Sequence, residues 1–428
     1  MDQNILFKNI TYLDSNSMRL FKGDMRVSAG YITELDNKIA EKNDEIIIPS
    51  CDFIVLPGMI NAHLHPSKEI YGGMLDCSPI DVVLDSVHKN NSLEDAEGQY
   101  VASLKSMMSA LQKGVTTFGL FTSRIESDVR AAQKIGVRAV VNYCQNNQWI
   151  GSGQSPESKS SDEVIHQFFE IEEKYKSDLI VVCPATASEL SADNDLMIKL
   201  HHIAKQFNTK FFVHMHEGEH QVISHHKVYG VSGIERLAKL NILDNHTTLI
   251  HSCHLSEKDK NLLLLGGCNI IHCPVSNSFV GAGTLPLKDL SSMTVGLGTD
   301  AAMVNPVNDI TFDALMSLYH HGDNNFAKKV SATYILKSLT EGGAHSLGLS
   351  QTGRIERGFK ADLIFYDKKS IDSGYINTPV SILKMLNQES PCKVMINGKT
   401  IIDGKKLLDS TLLDNDSQYS GMREMINV

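Results

Sequence analysis

Positive charge and long apolar runs are both scarce in this chain. Lys and Arg number 40 against 50 Asp and Glu, a formal net charge of -10. No basic patch interrupts that balance, and a polyanion-binding surface needs clustered Lys and Arg, so a nucleic-acid partner is excluded. No apolar stretch approaches the roughly 20 residues that cross a bilayer, so no membrane partner is expected. The first residues, Met1-Asp2-Gln3-Asn4, lack the positive n-region of a secretory signal. The expectation is a cytoplasmic protein. Its cysteines, at 51, 77, 144, 183, 253, 268, 273 and 392, include no Cys-x-x-Cys pair. They read as reduced thiols. Nothing beside Cys253 or Cys273 marks a nucleophile, and both are read as packing.

At 428 residues, 42% hydrophobic and 21% charged, the chain can bury a large core and form more than one domain. Short apolar segments rich in β-branched residues recur near 54–65, 114–121, 137–144, 179–185, 210–217, 247–254, 269–275 and 294–300. Stretches such as 95–113, 193–207 and 231–241 lie between them, with apolar residues at helical spacing. Strands that are near-continuously apolar and alternate with helices predict a parallel (β/α)₈ barrel, a TIM barrel, in the α/β class. A doubly wound open sheet is the rival. It accounts less well for polar, metal-binding residue types at the C-terminal ends of several strands. The two ends of the chain alternate apolar and polar residues instead, as antiparallel strands with one wet face do. The predicted division is a β-domain from residues 1–56 and 356–428 around a barrel over 57–355. Its last twenty or so residues read as a polar, mobile tail.

His63-Leu64-His65 ends the first barrel segment. Residues two apart on a strand share a face, so both imidazoles can reach one metal ion. His214-Met215-His216-Glu217 ends the fifth segment, His251-Ser252-Cys253-His254 the sixth and Gly298-Thr299-Asp300 the eighth. A mononuclear site needs about three protein ligands, a position for water and a nearby acid or base. His63, His65, His214 and Asp300 would supply the ligands, with Glu217 left as the proton shuttle. His216 shares parity with His214 and either competes as a ligand or packs, and His254 supports the site or packs. His220, His225 and His226 fall on a helix after the fifth segment, where a solvated or packing role is expected. The scattered methionines read as core filler.

With these pieces in this order, the chain resembles the amidohydrolase superfamily. It resembles in particular the branch holding S-adenosylhomocysteine and methylthioadenosine deaminases, guanine and cytosine deaminases, and triazine hydrolases. The matching residues are Pro57-Gly58-Met59-Ile60-Asn61-Ala62-His63-Leu64-His65, His214-x-x-Glu217, His251, His272-Cys273-Pro274-Val275-Ser276-Asn277 and Gly298-Thr299-Asp300. Gly342-Gly343-Ala344 and Gly358-Phe359-Lys360-Ala361-Asp362-Leu363 follow the barrel as they do in that branch. The resemblance implies a barrel with one divalent ion, a β-sandwich from both termini, and a homodimer. It implies that His63, His65, His214 and Asp300 bind the metal and that Glu217 carries a proton to a ring nitrogen. By the same carry-over, His251 orients the attacking water and Asp300 deprotonates it. Bound zinc brings the pKa of water to roughly 7, which suits hydrolysis at neutral pH. Zinc is the expected ion, and imidazole and carboxylate suit iron(II) as well.

Candidate substrate contacts are Trp149, which could stack on a heterocycle, with Thr186, His272 and Asn277. Two departures from the branch bear on the substrate. The loop after the fourth segment, Ala185-Thr186-Ala187-Ser188-Glu189-Leu190, lacks a histidine usual in adenosine-type deaminases. Tyr71-Gly72-Gly73-Met74 replaces an Arg-Gly pair. Both point away from adenosine derivatives. The expected reaction is hydrolytic deamination of an amino-substituted nitrogen heterocycle, a small molecule, with release of ammonia. Dehalogenation or opening of a cyclic amide is the alternative, and a metal-binding protein without catalysis is the third reading. Glu217 favours loss of an amine, which needs a proton, over loss of chloride, which does not.

Two-metal members bridge their ions through a lysine at the end of the fourth strand. Here that segment reads Val181-Val182-Cys183-Pro184-Ala185-Thr186. Elemental analysis of the purified chain is therefore expected to find one tightly bound divalent ion. Two ions per chain would contradict this.

Overall fold

The computed structural model describes residues 4–150, 159–321, 330–371, 377–409 and 416–426. Five strands come first: β1 (Asn4–Asp14), β2 (Arg19–Ser28), β3 (Tyr31–Asp36), β4 (Glu45–Pro49) and β5 (Phe53–Pro57). The barrel strands follow as β6 (Met59–Leu64), β7 (Val115–Thr122), β8 (Arg138–Cys144), β9 (Ile180–Thr186) and β10 (Phe211–Met215). They continue as β11 (Thr247–His251), β12 (Asn269–His272) and β13 (Val295–Leu297). The chain returns through β14 (Leu363–Asp367), β15 (Lys393–Ile396), β16 (Lys399–Asp403) and β17 (Lys406–Leu407).

β6 to β13 pair in sequence order as a parallel eight-stranded sheet. Every residue of β6, β7, β10, β11 and β12 is buried, because the sheet has side chains on its inner face and helices on its outer one. That is the physical origin of the unbroken apolar segments. Helices occupy the expected stretches at Ala96–Gln112, Asn194–Gln206 and Gly233–Lys239, capped by Asp95, Asp193 and Ser232. Each cap's side chain accepts a backbone N–H that the first turn leaves without an intrahelical partner. The first and last barrel strands meet through a bridge between Leu64 and Asp300, with the Asp300 N–H donating to the His63 carbonyl at 3.0 Å. Asp300 itself lies beyond β13. The architecture is a TIM barrel.

A separate mixed sheet comes from the two termini, in the order β17-β16-β15-β14-β5-β1-β2-β3 with β4 beside β1. The apolar run 54–65, read above as one strand, is therefore two strands in two sheets. Gly58 is the junction. Its N–H bonds the Asp362 carbonyl at 2.8 Å, and a Cβ there would lie 2.0 Å from Thr116 Oγ1. Only glycine allows the chain to leave one sheet and enter the other at this separation. The expected mobile tail is also corrected. Residues Asp416–Met425 form a helix whose Met422 is buried at 1% exposure. From that helix Tyr419 bonds the Glu69 carbonyl and Arg423 the Gly72 carbonyl. Residues 410–415 of the tail lie outside the described residues.

Among the described residues, a buried ion pair ties the terminal sheet to the barrel. Arg138, at the start of β8, places Nε 2.7 Å and Nη2 3.1 Å from the two carboxylate oxygens of Asp362. Asp362 Oδ1 also accepts the Asn397 N–H at 2.7 Å. Removing one member of a buried pair leaves the other charge without compensation. Arg138→Met is expected to cost about 3–5 kcal/mol, read from the urea midpoint. A change below about 1 kcal/mol would remove this pair as the tie.

Candidate active site

Each of the six principal candidate residues sits at or just beyond the C-terminal end of a barrel strand. His63 is in β6, and His65 is the first residue past it, capping a 3-10 helix over Pro66–Tyr71. Against β7 the register of β6 slips between Asn61 and Leu64. A register shift of this kind changes which face a side chain meets, and this one falls at His63. His214 belongs to β10, with Glu217 two residues beyond the strand's end, and His251 closes β11. Several strands end where the backbone turns left-handed: φ is +49° at His216, +74° at His251, +57° at Ser252 and +65° at Asp300. Such strain in non-glycine residues clusters at functional sites and has to be held by its surroundings. Here the Ser252 N–H bonds the Met215 carbonyl at 2.8 Å, beside the His63–Asp300 bond described above. Gly298 completes the closure, since a Cβ on it would lie 2.6 Å from the Cβ of His63.

Four ligand-type groups converge. His63 Nε2 is 3.3 Å from His214 Nε2 and 3.5 Å from Asp300 Oδ1, and His65 Nε2 is 3.4 Å from Asp300 Oδ1. Ligands about 2.1 Å from a tetrahedral ion stand roughly 3.4 Å apart, so the spacings match the edges of such a shell. The protonation states fit as well. The His214 Nδ1–H donates to the Ala187 carbonyl at 2.8 Å, leaving Nε2 as a lone pair aimed at the cluster. Burial holds the imidazoles of His63 and His214 below their usual range and that of His65 at about 3, so all three are neutral. Burial pushes Asp300 upward, but the facing imidazoles, His63 first, hold it well below the usual carboxylate range. Ser276 Oγ donates to Asp300 Oδ2 at 2.6 Å and the Ala301 N–H to Oδ1 at 2.7 Å. The residues present fit a divalent ion.

The other two residues stand beside this cluster. His251 Nε2 lies 3.7 Å from Glu217 Oε1 and 4.0 Å from Asp300 Oδ2. Among the described residues it has no hydrogen-bond partner although it is buried. The His251 Nδ1–H donates to Asn277 Oδ1 at 2.9 Å, which leaves Nε2 free to accept. Burial raises the Glu217 carboxyl above its usual range, against the pull of His251.

A cavity of about 280 Å³ opens over the cluster, its wall including His65, His214, Glu217, His251 and Asp300. That is near the lower end of small-molecule sites, roughly 300–1,000 Å³. Trp149 lines it and meets His88 edge to face at 5.5 Å. Thr186, His272 and Asn277 are not part of that wall. Thr186 bonds Ser191 at 2.8 Å, His272 is packed against His321, and Asn277 reaches the site only through His251. His216 is used structurally, its Nε2 accepting the Gly233 N–H at 3.0 Å, and His254 Nε2 donates to the Ala282 carbonyl at 2.6 Å. His225 packs as expected, buried with its Nδ1 2.8 Å from the Val231 carbonyl, and the exposed His220 also lines the cavity. Cys144 also lines the cavity. Its thiol is pushed up to about 12 by burial and stays protonated. Not foreseen were Phe121, whose ring lies 4.3 Å from that of His214, and the cavity-lining Lys68 and Arg124. No spacing in the sequence marks these three.

The model of the amidohydrolase family matches residues 54–401. Over 418 residues the chain is 29% identical to a 5-methylthioadenosine/S-adenosylhomocysteine deaminase of Acetivibrio thermocellus, covering 94% of this chain and 95% of that protein. Among solved structures it is similar to a zinc-bound adenosine deaminase of Xanthomonas campestris. The TM-score is 0.85 at 21% identity, covering 99% of both chains. A mutant of the atrazine chlorohydrolase of Arthrobacter aurescens TC1, complexed with zinc and atraton, gives a TM-score of 0.87. Its identity is 18%, covering 99% of this chain and all of that one.

An ion held by these four groups binds the folded state alone and so raises its stability, by ~4 kcal/mol at a thousandfold excess over the dissociation constant. Metal-loaded protein is expected to melt well above chelator-treated protein. The gap should close in His214→Ala; a gap unchanged in that variant would place the ion elsewhere.

Proposed function

Because this chain belongs to the amidohydrolase family, we propose that it is a metal-dependent aminohydrolase that releases ammonia from an amino-substituted nitrogen heterocycle. The observation that carries this reading is Glu217: a buried carboxyl on the cavity wall, beside the ligand cluster but outside it. A site that only binds metal has no use for it. His63, His65, His214 and Asp300 would hold one divalent ion, and zinc is the ion that the zinc-bound neighbours favour. Once bound, such an ion acts as a Lewis acid and brings the pKa of water near 7.

The remaining steps belong to the chain. Glu217, raised by burial, carries a proton to the ring nitrogen and so makes the ring carbon beside it a better electrophile. His251, held by Asn277 with Nε2 free to accept, orients the attacking water. Asp300, kept anionic, takes the water's proton and returns it to the departing amine. Phe121 packs against His214 and shields one side of the cluster. The relative named above brings amino-purine nucleosides to the front as substrates, although the loop after β9 lacks the histidine that pointed to them.

Glu217→Gln keeps the shape of the side chain and removes its acid. It is expected to retain the metal and to lose at least ~100-fold in turnover, measured as ammonia release across purines, pyrimidines, pterins and triazines. Turnover within a few-fold of the parent would take Glu217 out of the mechanism. If no compound in that set released ammonia, amide hydrolysis or dehalogenation would move ahead.

A further inference from the structure

The spacing of His214 and Glu217 conflicts with the strand that leads to them. Successive side chains of a strand alternate between its faces, so residues three apart point to opposite sides. In β10, Phe212 packs in the barrel interior with Ile60 and Ile250, whereas Val213 and Met215 pack with Leu200 and Leu237 of the outer helices. His214 has the parity of Phe212 and lines the cavity. Continued as a strand, the chain would send Glu217 outward, the way of Met215. Yet Glu217 lines the cavity with His214. The residue that corrects the parity is His216, where the backbone turns left-handed at a φ of +49°.

A left-handed residue with a Cβ is unfavourable unless its surroundings hold it. Both main-chain polar groups of His216 are held. Its carbonyl accepts the Cys253 N–H at 3.0 Å and the His254 N–H at 3.3 Å. Its N–H donates to Glu189 Oε1 at 3.0 Å, and the Glu189 N–H donates to the His214 carbonyl at 3.2 Å. Glu189 thus clasps the chain on both sides of Met215. Its neighbours Ala187, Ser188 and Leu190 line the cavity, while Glu189 is 1% exposed and does not. Burying a carboxyl is costly unless it is paired. Arg236, the nearby cation, spends Nη1 on the Glu189 carbonyl, Nη2 on the Ala192 carbonyl and Nε on Asn194 Oδ1. Oε2 has no partner among the described residues. What the side chain does accept is the His216 N–H.

We propose that Glu189 is a positioning residue: by holding His216 in the left-handed turn, it keeps the Glu217 carboxyl on the cavity wall. Without that acceptor the His216 N–H is buried and unsatisfied. An extended backbone at 216 then relieves the strain and carries Glu217 away from the ligand cluster. Glu189 touches neither the cavity nor the ligand-type side chains, so it acts only through this turn.

Substitutions at Glu189 separate the hydrogen bond from the charge. Glu189→Gln keeps the Oε1 acceptor and should hold turnover within a few-fold of the parent. Glu189→Leu removes the acceptor and should lower kcat at least ~10-fold, with KM and metal content close to the parent's. Glu189→Asp keeps the charge but is a methylene too short, so it should fall with Glu189→Leu and replaces it if the leucine variant does not fold. In the Glu217→Gln background the same change should cost little more, because both residues act through one proton. A crystal structure of the metal-loaded variant that lacks the acceptor should show His216 out of the left-handed region and Glu217 off the cavity wall. Parent-like kcat in that variant, an equal loss in Glu189→Gln, full additivity with Glu217→Gln, or Glu217 unmoved in the crystal would each overturn the proposal. Only the kinetic arm rests on the deaminase reading. If the parent released ammonia from no heterocycle, that reading would fail, and the crystal structure would still decide the turn.

Discussion

The closure of the barrel and the assembly of the candidate metal site are one event. β6 and β13 are brought together where Asp300 N–H meets the His63 carbonyl and Leu64 bridges Asp300. The same contact sets Asp300 Oδ1 within 3.5 Å of His63 and 3.4 Å of His65. It requires a left-handed backbone at Asp300 and no side chain at Gly298. The His63 imidazole, first among its neighbours, keeps the Asp300 carboxylate anionic despite its burial. A divalent cation among these groups would supply the opposite charge that such a buried carboxylate lacks. Stability and catalysis therefore draw on the same seam.

The surroundings of that seam are rigid for identifiable reasons. Ser276 and the Ala301 N–H hold both oxygens of Asp300, Ala187 holds His214, and Asn277 holds His251. Each fixes a tautomer or a direction, and partners of this kind typically change metal affinity or activity by about 10–100-fold when removed. The mouth is assembled from further away. The C-terminal helix buries Met422 and bonds the carbonyls of Glu69 and Gly72, so the last part of the chain braces the loop that carries Lys68. The Arg138–Asp362 pair does the same for the barrel's other end.

Much of this was legible in the chain because its signals are local. Eight apolar segments reflect burial on both faces of a parallel sheet, and His63, His214, His251 and Asp300 fall at their ends. Legibility failed where two elements compete for one run. Residues 54–65 read as a single strand because both sheets demand apolar side chains, and only the contact of Gly58 with Thr116 reveals the break. The tail failed for a related reason. Met422 and Ile426 are its buried anchors, and two apolar residues in a short polar stretch carry little periodicity. His220 is exposed, within the solvated or packing role expected of it, and only the fold shows that it also borders the cavity.

Read by itself, the order of residues determined the barrel, the terminal β-sheet, and a set of histidines and carboxylates of metal-ligating type at the strand ends. These follow from burial periodicity and from the chemistry of side chains at strand ends. The tertiary structure decided which histidines converge, because His214 and His216 differ by two positions and are told apart only by the left-handed turn that hands His216 to Gly233. It also decided what faces the substrate. Lys68, Glu94 and Arg124 are far apart in the chain, and nothing along it orders two cations around a buried carboxylate that they share. That order is a matter of three-dimensional charge and burial, and it is set by the packing of loops over the barrel mouth.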